Sequence, residues 1–344
     1  MIVKIRPGDV DGDRDVAIRL LTRHVNPAYD RRRFDWLYQT APAGHGRIWM
    51  AEDGSTGEAV GMAGAFPRRM LVEGRAVTGW LLGDFCVAET HRALGPALQL
   101  QRACLDDLAA DGVPLCYDFP SRSMEAIYRR LRIAPSQRFL RMVRPLRIAP
   151  RLRQRGGAWV GAVGGLADVA LGWTARSPRS TGALTVAVHA GRCGEEFSDL
   201  ARRTASAHGI CGERSGRYLN WRYRDNPIQE HELLTARVGP TLVGYAAMAR
   251  EGTVATLVDV FTVPDERVPS ALLRHAIARA WAQGATDLRT ALVAGPSWVA
   301  RLSRLGFRPR GDSPVVVYTP PGTELHSAFL QHSTWFLTHG DRDG

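Results

Sequence analysis

The sequence predicts an α/β fold made of two related domains in tandem, each with a mixed, mostly antiparallel sheet flanked by helices. Its length of 344 residues leaves room for two hydrophobic cores of ordinary size. The segment Phe34–Pro42 resembles Leu219–Pro227, because both place Trp, Tyr and Pro at the same spacing. An internal repeat of this kind indicates two copies of one folding unit.

The repeat continues through three more segments in the same order. Each copy has an apolar segment suited to a strand, then a strand that begins Val-Gly, then a third strand before a helical pattern. These segments are Ile48–Ala51, Val60–Ala65 and Asp84–Val87 in the first copy, and Leu233–Ala236, Val243–Met248 and Val260–Val263 in the second. Their close spacing predicts antiparallel pairing. The later passage from a long helix, Ala97–Ala110, to a strand at Pro114–Tyr117 predicts a parallel crossover.

The predicted division of the chain is linear. Residues 1–143 form the N-terminal domain, 144–183 a basic and then apolar linker, 184–320 the C-terminal domain and 321–344 a tail. The apolar run Gly156–Trp173 predicts an interdomain helix. Because eighteen residues behind a basic flank is the lower limit for a membrane span, a span and a peripheral membrane contact stay open as alternatives.

Charge and composition narrow the class of protein. The net charge is +11, and it comes almost entirely from arginine, since Lys4 is the only lysine. A basic chain favours polyanionic partners, such as coenzyme A phosphates, nucleic acid or an anionic membrane face, unless the arginines are simply solvated. The N-terminus lacks the apolar core of a signal peptide, which predicts a cytoplasmic protein.

The cysteines predict neither a disulfide scaffold nor a metal centre. There are five of them, scattered along the chain, and none forms a C-x-x-C pair. His208 and Cys211 form an H-x-x-C pair, but no cluster of further ligands lies near them in the sequence. We therefore predict no metal site.

The segment Gly83–Leu98 has the pattern of a phosphate-binding loop. A strand ends at Val87, a short turn follows, and a helix begins near Gly95. Gly95 and the small Ala97 leave room for an anion to approach the backbone, and the free N–H groups of a helix N-terminus supply donors. Pro96 suits this first turn, where its missing N–H is not needed. A diphosphate fits such a site.

These residues resemble the GNAT superfamily of acyl-CoA N-acyltransferases. Arg92, Gly95 and Ala97 match the family signature R/Q-x-x-G-x-G/A. The resemblance implies that the backbone of this loop holds the pyrophosphate of acetyl-CoA or another acyl-CoA, and that a bulged strand at Cys86 and Val87 pairs with the pantetheine arm. The implied cofactor-binding residues are Cys86, Val87, Arg92, Ala93, Leu94, Gly95, Pro96 and Ala97.

A second feature of the family lies downstream. GNAT proteins often carry a helix that ends Tyr-x-x-x-Gly-Phe, where the tyrosine protonates the departing CoA thiolate. Ser123–Ile133 is similar, with Tyr128 at the tyrosine position, although Arg132 and Ile133 replace the Gly and Phe. A tyrosine keeps its proton at neutral pH, so Tyr128 can serve as this acid. The alternative is a tyrosine that only packs.

Three carboxylates are candidates for the base. An amine nucleophile must lose a proton, and a carboxylate near the end of the strand could accept it directly or through water. Asp84 lies on that strand, Glu89 lies in the turn that follows, and Asp118 comes after the next strand. Each could instead be a structural or surface carboxylate.

The second copy departs from the pattern. Its turn, Pro264–Ala271, is shorter and lacks the glycine, and Leu302 stands at the tyrosine position, although Leu305–Phe307 keeps the family's helix exit. The sequence therefore predicts that the first copy binds CoA and that the second packs, gates or recognises substrate. We expect four aromatic residues to be core or cleft-wall residues: Trp36, Tyr38, Trp221 and Tyr223.

Three functions remain in view. The first is a CoA-dependent acyltransferase that moves an acyl group, acetyl above all, to an amine or hydroxyl of a small-molecule or sugar acceptor. The second is a Fem-type aminoacyltransferase, which uses tandem GNAT-like domains and takes its acyl group from aminoacyl-tRNA; the net charge of +11 suits that donor, but it does not need the CoA loop. The third is a non-catalytic GNAT-like module. The oligomeric state is left open.

Overall fold

The chain folds into two compact units. The computed structural model describes residues 3–72, 74–92, 94–150, 168, 172, 183–320, 323 and 335–343. The first unit takes in the described residues within 1–138, 313–333 and 342–344, and the second those within 139–312 and 334–341. The predicted linear boundaries at 143 and 184 differ from these units, because segments near the C-terminus are divided between the two.

The first unit consists of a strand, two helices, three strands, a long helix, a short strand and another helix. The elements are β1 (Val3–Gly8), α1 (Arg14–His24), α2 (Arg31–Tyr38), β2 (Arg47–Asp53), β3 (Ala59–Val72), β4 (Arg75–Val87), α3 (Leu94–Ala110), β5 (Cys116–Asp118) and α4 (Arg122–Arg130). Strands β1 to β4 are antiparallel neighbours, and β4 pairs with β5 in parallel. The mixed sheet and its parallel crossover are therefore confirmed.

Helix α3 holds the core of this unit against the sheet. Its buried residues Leu100, Cys104, Leu105 and Leu108 recur at helical spacing, so they form one apolar face. They join a single core cluster with strand residues such as Trp80. The burial of this face fixes which side of α3 packs on the sheet, and the short connection from Val87 to Leu94 keeps its N-terminus near the end of β4.

The second unit repeats this order. Its elements are β7 (Leu184–His189), α5 (Glu195–Thr204), β8 (Ile210–Gly212), α6 (Gly216–Leu219) continued by a π-helical turn (Asn220–Arg224), β9 (His231–Val238), β10 (Thr241–Glu251), β11 (Val254–Thr262), α7 (Arg267–Ala282), β12 (Asp287–Val293), α8 (Pro296–Arg304) and β14 (Trp335–Thr338). Strands β7, β9, β10 and β11 are antiparallel neighbours, and β11 pairs with β12 in parallel.

The last strand of each sequence repeat pairs with a strand of the other repeat, so each unit contains one strand from the opposite repeat. In the first unit, Val316–Tyr318 of β13 (Arg308–Tyr318) pairs with β5. In the second, Leu140–Pro145 of β6 (Pro135–Pro145) pairs with β12. Sequence periodicity shows which face of a strand is buried but not which strand lies beside it, so this exchange could not be predicted.

Most of the predicted linker lies outside the described residues, and so does the expected helix at 156–173 apart from Asp168 and Gly172. The Asp168 carboxylate accepts hydrogen bonds from the backbone N–H groups of Ile148 (2.5 Å) and Ala149 (3.3 Å). A Cβ on Gly172 would lie 2.8 Å from the indole ring of Trp281, so this glycine permits close packing. None of the helices in the described ranges is long and apolar enough to cross a membrane.

Candidate active site

In the first unit, β4 separates from β5 and leaves one of its edges open. The two strands pair only at Trp80 with Cys116 and at Leu81 with Tyr117. From Leu82 to Val87 no described strand pairs with this edge, while the other edge stays paired with β3 as far as Val87. Unpaired backbone groups of this kind are available to an extended ligand. The predicted residues Cys86 and Val87 lie on this segment.

The predicted contribution of Cys86 can only come from its backbone. The Cys86 side chain is buried, and burial raises the pKa of its thiol to about 12. A thiol with so high a pKa is neither a nucleophile nor a base at neutral pH.

The N-terminus of α3 is open where the sequence predicts the phosphate loop. The helix begins at Leu94, so the backbone N–H groups of Leu94 and Gly95 have no acceptor within the helix. A Cβ on Gly95 would meet no atom within 4 Å. Pro96 lies in this first turn, as predicted, and Ala93 lies outside the described residues. The site therefore has both the donors and the space that a diphosphate requires.

The turn between β4 and α3 is held by two side-chain contacts. Arg92 forms an ion pair with Glu89 at 3.2 Å, and both side chains are exposed. His91 is buried, and its Nε2 lies 2.7 Å from the Asp53 carboxylate on β2. Glu89 thus lies on the exposed side of the loop beside an arginine, which is not the setting of a buried proton acceptor.

Asp84 lies at a bulge in β4. Met62 of β3 faces Cys86, and Gly64 faces Gly83, so one residue of β3 opposes both Asp84 and Phe85. The backbone φ of Asp84 is +47°, in the left-handed region that few residues other than glycine adopt. The bulge expected at Cys86 and Val87 therefore lies two residues earlier. It turns the Asp84 carboxylate into the interior of the unit.

Two tyrosine hydroxyls donate to the Asp84 carboxylate. The Tyr29 hydroxyl lies 2.5 Å and the Tyr38 hydroxyl 3.1 Å from the same oxygen, Oδ2. A Cβ at position 64 would lie 2.2 Å from the Tyr38 hydroxyl, so Gly64 leaves room for this contact. Tyr38 was expected to be a core or cleft-wall residue, and the structure shows that its hydroxyl also donates a hydrogen bond to Asp84. The contact of Tyr29 with Asp84 was not predicted, because no sequence pattern connects the two residues.

The pKa of Asp84 favours proton acceptance near neutral pH. Burial raises the pKa of this carboxyl to about 6, and the negative charge of Asp343 also raises it, while the hydrogen bonds from Tyr29 and Tyr38 oppose the rise. At pH 7 to 8 such a group is ionised, yet it is a stronger base than an exposed aspartate. Asp343, near the end of the chain, is a contributor that sequence analysis missed.

Tyr128 and Asp118 form a buried pair. The Tyr128 hydroxyl donates to Asp118 Oδ2 at 2.7 Å, and the side-chain amide of Gln101 on α3 lies 3.4 Å from the Tyr128 oxygen. Burial and the charge of Asp118 raise the pKa of Tyr128 well above its usual value. Burial raises the pKa of Asp118 to about 7. Tyr128 therefore keeps its proton at neutral pH, and its side chain is buried.

The exit of α4 has the backbone geometry of the exit of α8, with an arginine in place of the glycine. Arg132 takes a φ of +61°, as Gly306 does at +86° at the end of α8. The N–H of Ile133 donates to the carbonyl of Tyr128 at 2.9 Å, and the N–H of Phe307 donates to the carbonyl of Leu302 at 3.1 Å. The two helices thus end in the same backbone motif. Tyr128 is fixed at the position that Leu302 holds in the second unit.

The second unit has an aspartate in the same place, but its surroundings reverse its pKa shift. Asp259 on β11 accepts from the hydroxyls of Tyr223 (2.9 Å) and Tyr245 (2.6 Å), and it pairs with the Arg214 guanidinium at 2.8 Å. The Arg214 charge and these hydrogen bonds outweigh burial and lower the pKa of Asp259. In the described part of the first unit, no arginine pairs directly with Asp84.

The helix N-terminus of the second unit is already occupied. The Asp265 carboxylate accepts from the backbone N–H of Arg267 at 2.9 Å, and the Asp265 carbonyl accepts from that of Val268 at 3.1 Å. Pro269 has no N–H to offer. The first turn of α7 therefore has none of the free donors that α3 presents.

Comparisons with known proteins agree with this geometry. Residues 5–132 match the family model of the acetyltransferase (GNAT) domain. The chain carries a GNAT acetyltransferase domain. The matched range runs from β1 to the end of α4 and contains the open edge of β4, the start of α3, Asp84 and Tyr128. The resemblance that the sequence suggested is thereby confirmed.

Solved structures show a likeness in fold that extends over both units of the chain. A GNAT N-acetyltransferase from Anabaena variabilis has a TM-score of 0.67 and 11% identity, with 92% of this chain and 73% of that chain covered. N-myristoyltransferase of Saccharomyces cerevisiae with bound myristoyl-CoA has a TM-score of 0.58 and 14% identity, with 92% of this chain and 82% of that chain covered. Eis1 from Mycobacterium abscessus has a TM-score of 0.56 and 16% identity, with 92% of this chain and 73% of that chain covered. A comparison with curated proteins gives no match.

Proposed function

We propose that the first unit is a CoA-dependent acyltransferase, which moves an acetyl group from acetyl-CoA to an amine or hydroxyl of a small-molecule or sugar acceptor. The family supports acyl transfer from acyl-CoA. The observation that carries the proposal is the contrast between the two units. Free helix donors and an aspartate with a raised pKa are both present in the first unit, whereas in the second Asp265 accepts from the helix N–H and Arg214 pairs with Asp259.

In the proposed reaction, the pyrophosphate binds the first turn of α3 and the pantetheine arm extends along the open edge of β4. The acceptor nitrogen or oxygen attacks the thioester carbonyl and passes its proton to the Asp84 carboxylate, directly or through water. Collapse of the tetrahedral intermediate breaks the C–S bond. Tyr128 turns its hydroxyl from Asp118 to the departing sulfur and donates a hydrogen bond or its proton to the thiolate.

Acetyl-CoA should raise the melting temperature of the wild-type protein, and a Gly95→Trp substitution should abolish that shift. At a concentration of about 100 times Kd, a ligand that binds only the folded state adds about 2.7 kcal/mol, which is several degrees for a protein of this size. The indole would extend into open space, so the fold is retained while the approach of the pyrophosphate is blocked.

Gly194→Trp is the matched control for this experiment. Gly194 precedes α5, and a Cβ there also meets no atom within 4 Å, so the same bulk is added to a helix N-terminus in the second unit. This variant should keep the full shift. A shift that survives in Gly95→Trp contradicts the proposed binding mode. No shift with any acyl-CoA, together with salt-sensitive binding of tRNA, would favour the Fem-type alternative instead.

A Tyr128→Phe variant should lose about 100-fold in kcat with little change in the KM for acetyl-CoA, as expected for a group that acts on the leaving thiolate. Tyr218→Phe provides the control, because the Tyr218 hydroxyl donates to the carbonyl of Gly340 at 3.0 Å in the second unit. That variant should lose about 1 kcal/mol of stability and keep its kcat. If Tyr128→Phe behaved like Tyr218→Phe, Tyr128 would only be a packing residue.

A further inference from the structure

A cavity of about 250 Å³ lies in the second unit at the equivalent of the acyl-CoA site. It opens between the end of β11, the beginning of α7 and the beginning of α8. The residues that decide its chemistry are His208, Thr262, Asp265, Trp298, Arg301 and Phe336. The proposed acyltransferase reaction uses none of them.

The cavity is not suited to a second acyl-CoA. Asp265 lines it and places a carboxylate on the first N–H of α7, where the first unit has free donors. Because Asp265 already accepts from this N–H, a diphosphate finds no free donor at the one position where a helix N-terminus could bind it. The cavity therefore suits a ligand of a different kind.

Aromatic side chains form its walls. The rings of Trp298 and Phe336 lie 5.5 Å apart, and the ring of His208 lies 4.8 Å from that of Phe336. The His208 Nε2 lies 3.0 Å from the carbonyl of Thr262, and burial lowers the pKa of His208, so this ring is neutral at pH 7. Three flat, uncharged surfaces favour a flat apolar body.

Arg301 is the buried charge of the cavity. Its side chain is only 11% exposed, and its guanidinium lies over the Trp298 ring at 5.1 Å. The nearest carboxylate, Glu266, is 3.9 Å away and is itself 81% exposed, so it neutralises Arg301 weakly. Asp265 is paired with Arg267 at the surface. A buried guanidinium with so distant a partner favours an anion.

We propose that this cavity binds a small aromatic carboxylate, with its carboxylate on Arg301 and its ring against the wall that Trp298 and Phe336 form together. An engineered apolar cavity of about 150 Å³ accommodates benzene, so this larger one has room for a ring with a short acidic side chain. Arg301 sets the preference for an anion, and the aromatic walls set the preference for a flat body.

Phenylacetate and its neutral analogue phenylacetamide test the proposal by titration calorimetry with the full chain. The wild-type protein should bind phenylacetate about ten-fold more tightly than phenylacetamide, because only the acid can pair with Arg301. Arg301→Met keeps most of the apolar stem and should remove that difference. Arg304→Met, which removes an exposed arginine from the same helix, should leave it unchanged.

Several outcomes would overturn the proposal. These are equal affinity for the acid and the amide, unchanged binding by Arg301→Met, or no binding of either compound at about ten millimolar, a weak affinity even for a compound of this size. If Arg301→Met does not fold, Arg301→Lys takes its place. A lysine keeps the charge but loses the planar fork, so the difference should shrink but persist. Gly95→Trp should bind phenylacetate normally, which separates this site from the acyl-CoA site.

Discussion

An Arg214→Met variant should lose about 3–5 kcal/mol of folding free energy, with a fall of roughly ten degrees in melting temperature. The Arg214 side chain is 0% exposed and pairs with Asp259 at 2.8 Å and with Asp341 at 2.7 Å. Both carboxylates are buried as well. Methionine would fill much of the same volume, but it would remove the cation that pairs with two buried carboxylates. Urea denaturation at neutral pH measures the loss.

Two further variants show whether charge is the cause. Arg202 forms ion pairs with Glu195 and Asp199 on an exposed helix face, so Arg202→Met should leave the stability of the protein nearly unchanged. Arg214→Met combined with Asp259→Asn and Asp341→Asn should recover part of the lost stability, since no buried charge then remains. A single Arg214→Met variant as stable as the wild-type protein would show that these ions do not stabilise the unit.

The features that the sequence predicts well are local ones. The loop at Arg92–Ala97 lies between a strand and a helix, and the parallel crossover follows it. The repeat at Phe34–Pro42 and Leu219–Pro227 marks the ends of corresponding helices, α2 in the first unit and the π-helical turn in the second. Such signals depend on neighbours within a few residues, which is the range over which helix and turn patterns act.

The environment of the candidate base could not be predicted, because its partners are distant in sequence. Tyr29 lies 55 positions before Asp84, and Asp343 comes from the opposite end of the chain. In the second unit, Arg214 reaches Asp259 from 45 positions away. No periodicity connects such residues. The sequence places Asp84 on the strand and Glu89 in the more solvated turn, but it does not show the burial and the hydrogen bonds that raise or oppose the pKa of Asp84.

The two aspartates show how one fold can give one residue type two chemical roles. Asp84 and Asp259 each accept hydrogen bonds from a pair of tyrosines, and both are buried. Arg214 causes the pKa values of the two aspartates to shift in opposite directions, because a paired cation favours the ionised form while burial alone disfavours it. An aspartate whose ionised form is strongly stabilised is a poor base. The second unit thus gains stability at the position where the first unit holds a proton acceptor.

An Asp84→Asn variant should be nearly inactive and yet more stable than the wild-type protein at pH 8. Loss of a general base costs roughly 100- to 10,000-fold in kcat. Asparagine keeps an oxygen that can accept from Tyr29 and Tyr38, so the packing survives. Because burial raises the pKa of Asp84 from 3.8 to about 6, ionising it in the folded state has a cost of roughly 2–3 kcal/mol at pH 8, and the variant avoids that cost.

The protonation of Asp84 makes both the stability of the protein and its activity depend on pH. Between pH 4 and 6 the folded protein holds a proton on Asp84 that the unfolded chain has lost, so Asp84 makes stability decrease as pH rises through this range. The advantage of Asp84→Asn in urea denaturation should therefore be present at pH 8 and vanish near pH 4.

In the wild-type protein, kcat/KM should rise with pH through about 6 and then level off. Asp343→Asn removes a negative charge that raises this pKa, so it should shift the rise to lower pH. A profile that Asp343→Asn leaves unmoved, or an Asp84→Asn variant with wild-type activity, would assign the base to another group.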